Sequence, residues 1–222
     1  MNLLDFIFPK RCVSCSQVGA YICRGCFSKI EFVDAPVCPA CQRQAIGGRV
    51  HPGCAKRYGL DGLVVACGYR DPIKVAIKKV KYKWVYDIES ILVDLLALRI
   101  WKFDLAQSVI LVPVPLHKKR KNWRGFNQAE ILAKTLSRKF ATNYAEILIR
   151  NRETKTQVGL SRDDRKKNVR DAFSLAGGVS IGGEDLVLVD DVYTSGATMA
   201  ECAKVLKRSG AKSVWGIAVA LG

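Results

Sequence analysis

The sequence has no long hydrophobic run, and this absence excludes a protein anchored by membrane-spanning helices. No apolar segment reaches the roughly 20 residues that such a helix requires. The chain also lacks the basic flank and the small-residue cleavage site of a secretory signal peptide, and residues 3–8 include Asp5. We therefore expect a cytoplasmic protein without stable membrane insertion, in which residues 3–8 form a short amphipathic helix.

Acidic residues are scarce relative to basic ones. The 222 residues contain 20 Asp and Glu against 36 Lys and Arg, which gives a net charge of +16. This surplus indicates polyanionic partners, either phosphorylated small molecules or nucleic acid, although a merely basic soluble surface has the same composition. With 49% hydrophobic and 25% charged residues, the chain has room for one medium α/β domain and a small appendage.

Large apolar side chains are few in residues 1–58, where cysteines are concentrated instead. Seven of the nine cysteines lie there. Six of them form three pairs with two residues between the members, and the seventh forms a fourth such pair with a histidine. This spacing predicts two structural, tetrahedral zinc sites without an open ligand position. Disulfides are the competing interpretation, but they conflict with the absence of an export signal. The predicted ligands are Cys12, Cys15, Cys23 and Cys26 for one ion, and Cys38, Cys41, His51 and Cys54 for the other.

This assignment pairs neighbouring motifs along the chain. A crossed arrangement, in which the first and third cysteine pairs share an ion, stays open at this point. One or two Zn²⁺ ions would hold together a segment that buries too little apolar surface to fold without metal. Cys67 and Cys202 fall in strand and helix patterns, so we expect them to be thiols of the core.

Residues 186–198 combine a buried strand, two adjacent carboxylates and a loop of small residues. Four apolar residues precede Asp190 and Asp191, and a helical pattern follows the loop. Backbone N–H groups at the start of such a helix suit a phosphate monoester, and the carboxylates would hold ribose hydroxyls or a hydrated Mg²⁺. In the simpler alternative, Thr194 or Ser195 only caps the helix. The candidate phosphate-binding residues are Thr194, Ser195, Gly196, Ala197 and Thr198.

A basic cluster follows a second buried strand, predicted at residues 109–115. Five of the nine residues from 116 to 124 are Lys or Arg, and a helix is predicted at residues 129–140. Side chains placed directly after a parallel strand lie at the C-terminal edge of the sheet, where α/β proteins bind ligands. Arg120 and Arg124 are therefore the candidates for bidentate phosphate contacts.

Residues 74–86 interleave basic and aromatic side chains. Single-stranded nucleic acid requires such a surface, because cations contact the phosphates and aromatic rings stack on the bases. Lysines whose stems lie over aromatic residues of the core would produce the same pattern. The side chains concerned are Lys74, Lys78, Lys79, Lys81, Lys83, Trp84 and Tyr86.

The order of hydrophobic run, acidic pair and Thr-Ser-Gly-x-Thr in residues 186–198 closely resembles the phosphoribosyl pyrophosphate (PRPP) motif of type I phosphoribosyltransferases. Pro-Val-Pro at residues 113–115, the basic cluster, and Arg-Gly-Phe-Asn-Gln at residues 124–128 resemble the ComF/ComFC competence family. Further residues match the spacing of that family in a region equivalent to the mobile flap over PRPP. They are Arg152, Thr154, Gln157, Leu160, Arg165, Asn168 and Phe173.

The resemblance implies an α/β, parallel-sheet type I phosphoribosyltransferase fold in residues 59–222 and a small double zinc-ribbon-like module in residues 1–58. It implies Mg²⁺ and PRPP as ligands, Asp190 and Asp191 as the catalytic pair, and a role in DNA uptake during natural transformation. The implied partners are single-stranded DNA and competence helicase and recombination-loading proteins. The second hypothesis is an active transferase that moves ribose 5-phosphate from PRPP to a base or amine. No segment resembles the hood domain that would bind such an acceptor.

Overall fold

A computed structural model of the protein describes residues 9–82, 86–100, 108–154 and 161–222. The helix expected at residues 3–8 lies outside these ranges. Within them, no helix is both long enough and apolar enough to cross a membrane.

Five parallel strands form the central sheet, which confirms the predicted α/β architecture. The strands of the chain are β1 (Gly62–Gly68), β2 (Val109–Pro113), β3 (Asn143–Tyr144), β4 (Leu148–Arg150), β5 (Phe173–Leu175), β6 (Asp185–Tyr193) and β7 (Ser213–Leu221). The order across the sheet is β1-β7-β6-β2-β3, and every neighbouring pair is parallel. Strands β4 and β5 form a separate antiparallel pair.

Helices cover both faces of the sheet, which is why β1 and β7 are almost continuously apolar and β6 is apolar from residue 186 to residue 189. The helices are α1 (Arg24–Phe27), α2 (Ile73–Tyr82), α3 (Tyr86–Ile100), α4 (Lys118–Arg124), α5 (Gln128–Phe140), α6 (Arg162–Val169) and α7 (Ala197–Arg208). Helices α2, α3 and α5 pack with Val187 and Val189 on what we name the first face. Helix α7 and the β4–β5 pair pack with Leu186 and Leu188 on the second face.

The cysteine-rich segment contributes to both faces. It contains α1 and two 3-10 turns, at Ile46–Gly48 and Pro52–Cys54. Ile22 and Ile30 belong to the core of the first face, whereas Val37 belongs to the core of the second. Single β-bridges, such as the one between Arg49 and Gly62, attach the segment to β1. The division of the chain at residue 58 stays a prediction.

Two features of the elements near the candidate site were not expected from the sequence. Strand β6 continues to Tyr193, beyond the apolar run that ends at Val189, because it pairs with β7 as far as Leu221. The basic cluster forms helix α4, which ends at Gly125 with a φ of 83°. Both differences change where the candidate side chains point.

Candidate functional site

Two clusters of metal-ligand side chains lie where the cysteine spacing predicts them. In each cluster the four ligand atoms lie within 4.8 Å of one another. Zinc bonded to sulfur at about 2.3 Å in a tetrahedron places the sulfur atoms about 3.8 Å apart, so both sets fit the ion. The grouping is sequential, not crossed. The first zinc site comprises Cys12, Cys15, Cys23 and Cys26, and the second zinc site comprises Cys38, Cys41, His51 and Cys54.

A hydrogen bond outside the cluster orients His51 for metal binding. Its Nε2 lies 2.9 Å from the carbonyl oxygen of Gln44 and can only donate to it, which leaves Nδ1 facing Cys41 Sγ at 3.4 Å. The backbone N–H of Arg43 hydrogen-bonds to Cys41 and lowers the pKa of this thiol to about 6. Three thiols and an imidazole are a ligand set of structural zinc sites, so the second site also has the chemistry of such a site.

The other two cysteines are buried in the core, as predicted. Burial raises the pKa of Cys67 to about 12 and raises that of Cys202 well above the usual value. Neither thiol therefore ionises near neutral pH.

The loop of small residues lies between β6 and α7. We name residues 194–198 the phosphate loop. Gly196, with a φ of 71°, is the N-cap of α7, so neither Thr194 nor Ser195 has that role. The first N–H groups of an α-helix have no backbone partner within the helix, and here the N–H of Ala197 donates to Ser195 Oγ at 3.4 Å. The loop therefore lies at the N-terminus of α7, as the sequence predicts, and its phosphate-binding role stays a prediction.

The acidic pair divides between the two faces of the sheet. Both residues belong to β6, and the neighbours of their side chains lie on opposite faces. Asp191 is 8% exposed and lines a small cavity on the first face with Gln128 of α5. Asp190 lies on the second face, where its charge acts on Arg150 and on Cys202 of α7. The two carboxylates therefore occupy different surroundings.

Arg150 is a candidate ligand-binding residue that sequence reasoning missed. Its guanidinium donates to the hydroxyl oxygen of Thr154, and Arg120 donates to the carbonyl oxygen of the same residue at 3.0 Å. Burial lowers the pKa of Arg150, nearby Arg120 lowers it further, and the charge of Asp190 opposes both effects. Two guanidinium groups that converge beside a carboxylate suit an anionic ligand. The only sequence signal was a cation at the end of a short strand.

Helix α4 presents an exposed tryptophan among basic side chains. Trp123 is 74% exposed. Lys118, Lys119 and Lys121 of the same helix are also exposed. Arg124 donates a 2.7 Å hydrogen bond to Gln128 Oε1, whereas Arg120 donates to Thr154 beside Arg150.

The other predicted basic and flap residues are described in part. Lys74, Lys78 and Lys79 are exposed on α2. Arg152 donates to the carbonyl oxygens of Asn168 and Arg170, at 3.1 and 2.8 Å, and so ties β4 to the end of α6. Lys83, Trp84, Gln157 and Leu160, and the side chains of Lys81 and Tyr86, lie outside the described residues.

The second zinc site lies beside the phosphate loop. The sequence, in which no segment resembles a hood domain, did not predict this neighbour of the loop. Tyr193 Oη donates a 2.6 Å hydrogen bond to the Pro39 carbonyl oxygen, and Gln42 Nε2 donates to the Thr194 carbonyl oxygen. A cleft of about 620 Å³ between this zinc site, α6 and α7 reaches the loop at Ser195. Its cationic lining residues are Lys56, Lys166, Lys167, Arg170 and Lys204.

Known proteins resemble the chain along its length. Residues 3–55 match the family model described as a double zinc ribbon domain, which supports the zinc assignment. The chain is 34% identical to competence protein F of Haemophilus influenzae over 98% of its own length and 99% of that protein. It is 34% identical to DNA utilization protein YhgH of Escherichia coli K12 over 87% of each chain. It is 28% identical to competence protein ComFC of Bacillus subtilis, over 85% of this chain and 79% of that protein.

Proposed function

The chain belongs to the ComF/ComFC family, and from this premise we propose that it binds PRPP with Mg²⁺ at the phosphate loop and handles single-stranded DNA during DNA uptake. Its relatives are named competence and DNA utilization proteins, which supports a role in DNA uptake. The observation that carries the PRPP part is the clustering of the phosphate loop, Asp190 and the converging Arg120 and Arg150 near the C-terminal end of β6.

Each part of PRPP has a partner of suitable charge in this arrangement. The 5′-phosphate accepts hydrogen bonds from N–H groups of the phosphate loop, and Gly196 permits close approach because it has no side chain. Asp190 accepts hydrogen bonds from the ribose hydroxyls, and the pyrophosphate group lies toward Arg120 and Arg150. Asp190, on the face that carries α7, is the carboxylate available to hold Mg²⁺, which would neutralise part of the charge of the pyrophosphate.

Transferase activity is the second candidate function, and the paired guanidinium groups favour it. In the transfer, the bond between ribose C1 and the pyrophosphate oxygen breaks, and pyrophosphate leaves with the electron pair. A nitrogen of the acceptor, a base or an amine, forms the new bond to C1. Arg120 and Arg150 stabilise the negative charge that develops on the leaving group.

Helix α4 supports the proposal that the protein binds single-stranded DNA. A base can stack on the exposed Trp123 while Lys118, Lys119 and Lys121 contact neighbouring phosphates. The net charge of +16 adds a general attraction for a polyanion. In this proposal the protein acts in the cytoplasm and passes the strand to helicase and recombination-loading proteins.

Calorimetric titration of the zinc-loaded protein with PRPP, with and without Mg²⁺, tests the first part of the proposal. We expect binding that requires Mg²⁺, and absence of binding would contradict it. An assay of pyrophosphate release in the same samples separates the two candidates. Release on addition of one base or amine would establish a transferase and identify its acceptor.

Binding of a labelled single-stranded oligonucleotide at increasing salt tests the second part. Log affinity should fall with log salt by a slope of about 0.7 for each phosphate contacted. A single-stranded oligonucleotide that does not bind at low salt would contradict the DNA part and leave the PRPP part standing.

A further inference from the structure

A buried hydrogen bond joins the second zinc site to the end of β6. We name residues 38–42, which include the ligands Cys38 and Cys41, the zinc knuckle. Tyr193 is 3% exposed, and its Oη donates a 2.6 Å hydrogen bond to the Pro39 carbonyl oxygen. Because Pro39 lies between the two ligands, this acceptor belongs to the backbone that wraps the metal position. The strand that carries Asp190 is therefore attached to the zinc knuckle.

Gln42 provides a second connection from the zinc knuckle. It follows Cys41 directly, and its Nε2 donates to the carbonyl oxygen of Thr194, the first residue of the phosphate loop. Its backbone is left-handed, with a φ of 59°, a conformation that a residue with a side chain adopts only when its surroundings hold it. The turn closed by the hydrogen bond from Gln42 N–H to the Cys38 carbonyl oxygen, at 2.9 Å, supplies that constraint.

Tyr193 also lies directly against the phosphate loop. A Cβ atom added to Gly196 would overlap the Tyr193 hydroxyl and lie 2.6 Å from its Cζ. The phenol therefore contacts the N-cap of α7 on one side and the zinc knuckle on the other. A displacement of the knuckle would remove the surface against which the loop rests.

We propose that the zinc knuckle holds the phosphate loop in its ligand-binding conformation, so that zinc at the second site sets the affinity for PRPP. Tyr193 and Gln42 are positioning residues, because they act through the backbone of the loop. The identification of the ligand as PRPP depends on the proposed function, whereas the coupling of the zinc knuckle to the phosphate loop depends on the two hydrogen bonds. The first zinc site supplies the control, because three of its four ligands pack into the core of the opposite face.

Loss of one zinc ion at a time tests the proposal on the full-length protein. Cys41→Ser alters the second site, and Cys15→Ser, at the most exposed ligand of the first site, is the matched variant. The measurements are zinc content, hydrogen exchange of the amides of residues 193–198, and calorimetric affinity for PRPP with Mg²⁺. We expect Cys41→Ser to raise the exchange and weaken PRPP binding by roughly tenfold or more. Cys15→Ser should lower the melting temperature and leave both loop measurements unchanged.

Two further variants test the coupling without removing a metal ligand. Tyr193→Phe removes the hydroxyl but keeps the ring, and Gln42→Asn tolerates the left-handed backbone but is too short to reach Thr194. Each should keep both zinc ions and weaken PRPP binding by roughly three- to tenfold. Tyr193→Phe should have little further effect in the Cys41→Ser background, because both changes remove the same support. A general loss of stability would not produce this non-additivity.

Three outcomes would overturn the inference. They are loss of the second zinc ion with unchanged exchange at residues 193–198, an equal loop response in Cys15→Ser, and full additivity of Tyr193→Phe with Cys41→Ser. If the wild-type protein binds no PRPP, the proposed function fails, but amide exchange still decides whether the knuckle holds the loop. If Cys41→Ser does not fold, Tyr193→Phe and Gln42→Asn decide the question alone.

Discussion

The two faces of the sheet each carry one zinc site and one member of the acidic pair, yet their surroundings differ. On the first face, Cys12, Cys23 and Cys26 are buried in the same apolar cluster as α2 and α3. On the second face, Cys41 and Cys54 are only half-buried, and the zinc knuckle contacts the phosphate loop. Similar ligand sets therefore support the core in one place and border the candidate ligand site in the other. The surroundings of each zinc site, more than its ligands, indicate what it does.

The largest expected effect is the loss of stability when the first zinc site is broken. Cys12 is 1% exposed, so Cys12→Ser removes a metal ligand and also leaves a polar hydroxyl in the core. We expect the free energy of unfolding to fall by about 4 kcal/mol or more, measured by chemical denaturation. Cys41→Ser should lower it less, because that ligand is half-buried. Equal losses would remove the distinction between the faces.

The second prediction compares the two carboxylates. Asp190→Asn should weaken PRPP binding by about 100-fold, because charge-assisted hydrogen bonds to the ribose hydroxyls are lost on the face that carries α7. Asp191→Asn should weaken it by less than about tenfold, since that residue is buried against α5. Calorimetry measures both, and single-stranded DNA affinity should change in neither variant. The reverse ranking would place the ligand on the first face.

The third prediction concerns close packing at the phosphate loop. Gly196 and Gly178 have similar φ values of 71° and 78°, but a Cβ added at Gly196 meets Tyr193, whereas at Gly178 it meets open space. Both alanine variants should lose about 1 kcal/mol of stability through the left-handed backbone, and Gly196→Ala should lose more because its Cβ overlaps the buried Tyr193 side chain. Only Gly196→Ala should also weaken PRPP binding, by roughly tenfold or more. Similar PRPP affinities in the two variants would show that backbone conformation alone matters.

The smallest expected effect concerns helix α4 rather than either face. Trp123→Ala should weaken binding of a single-stranded oligonucleotide by roughly fivefold or more, because one stacked base loses its platform. PRPP affinity should be unchanged. Phe140→Ala, at the end of α5, is the matched control, since Phe140 is also an exposed aromatic residue, at 41%. A similar loss in both variants would indicate that nucleic acid binds without a defined stacking site.

The sequence predicted those features that depend on neighbouring residues. Two-residue gaps between ligands determine which side chains can share a zinc ion, and the sequential clusters confirm that prediction. Apolar runs located β1, β2, β6 and β7, because strands covered on both faces must be apolar throughout. The division at residue 58 and the binding roles of Asp190, Asp191, Arg120, Arg124 and the phosphate loop stay predictions.

The features that sequence reasoning missed depend on which strands pair and which segments meet. The apolar run that ends at Val189 does not show that pairing with β7 extends β6 to Tyr193, so it does not show that Asp190 and Asp191 lie on opposite faces. Nothing local to Arg150 indicates that it meets Arg120 at Thr154.

The metal chemistry and the small-residue loop after two carboxylates can be read from residues close together along the chain, whereas the parallel sheet was implied by the resemblance to the ComF/ComFC family. Three-dimensional packing determines which carboxylate faces α7, which cations accompany it, and which zinc site borders the loop. Those outcomes depend on contacts such as the one between Tyr193 and Pro39, which are 154 residues apart in sequence. Local spacing carries no information about such contacts.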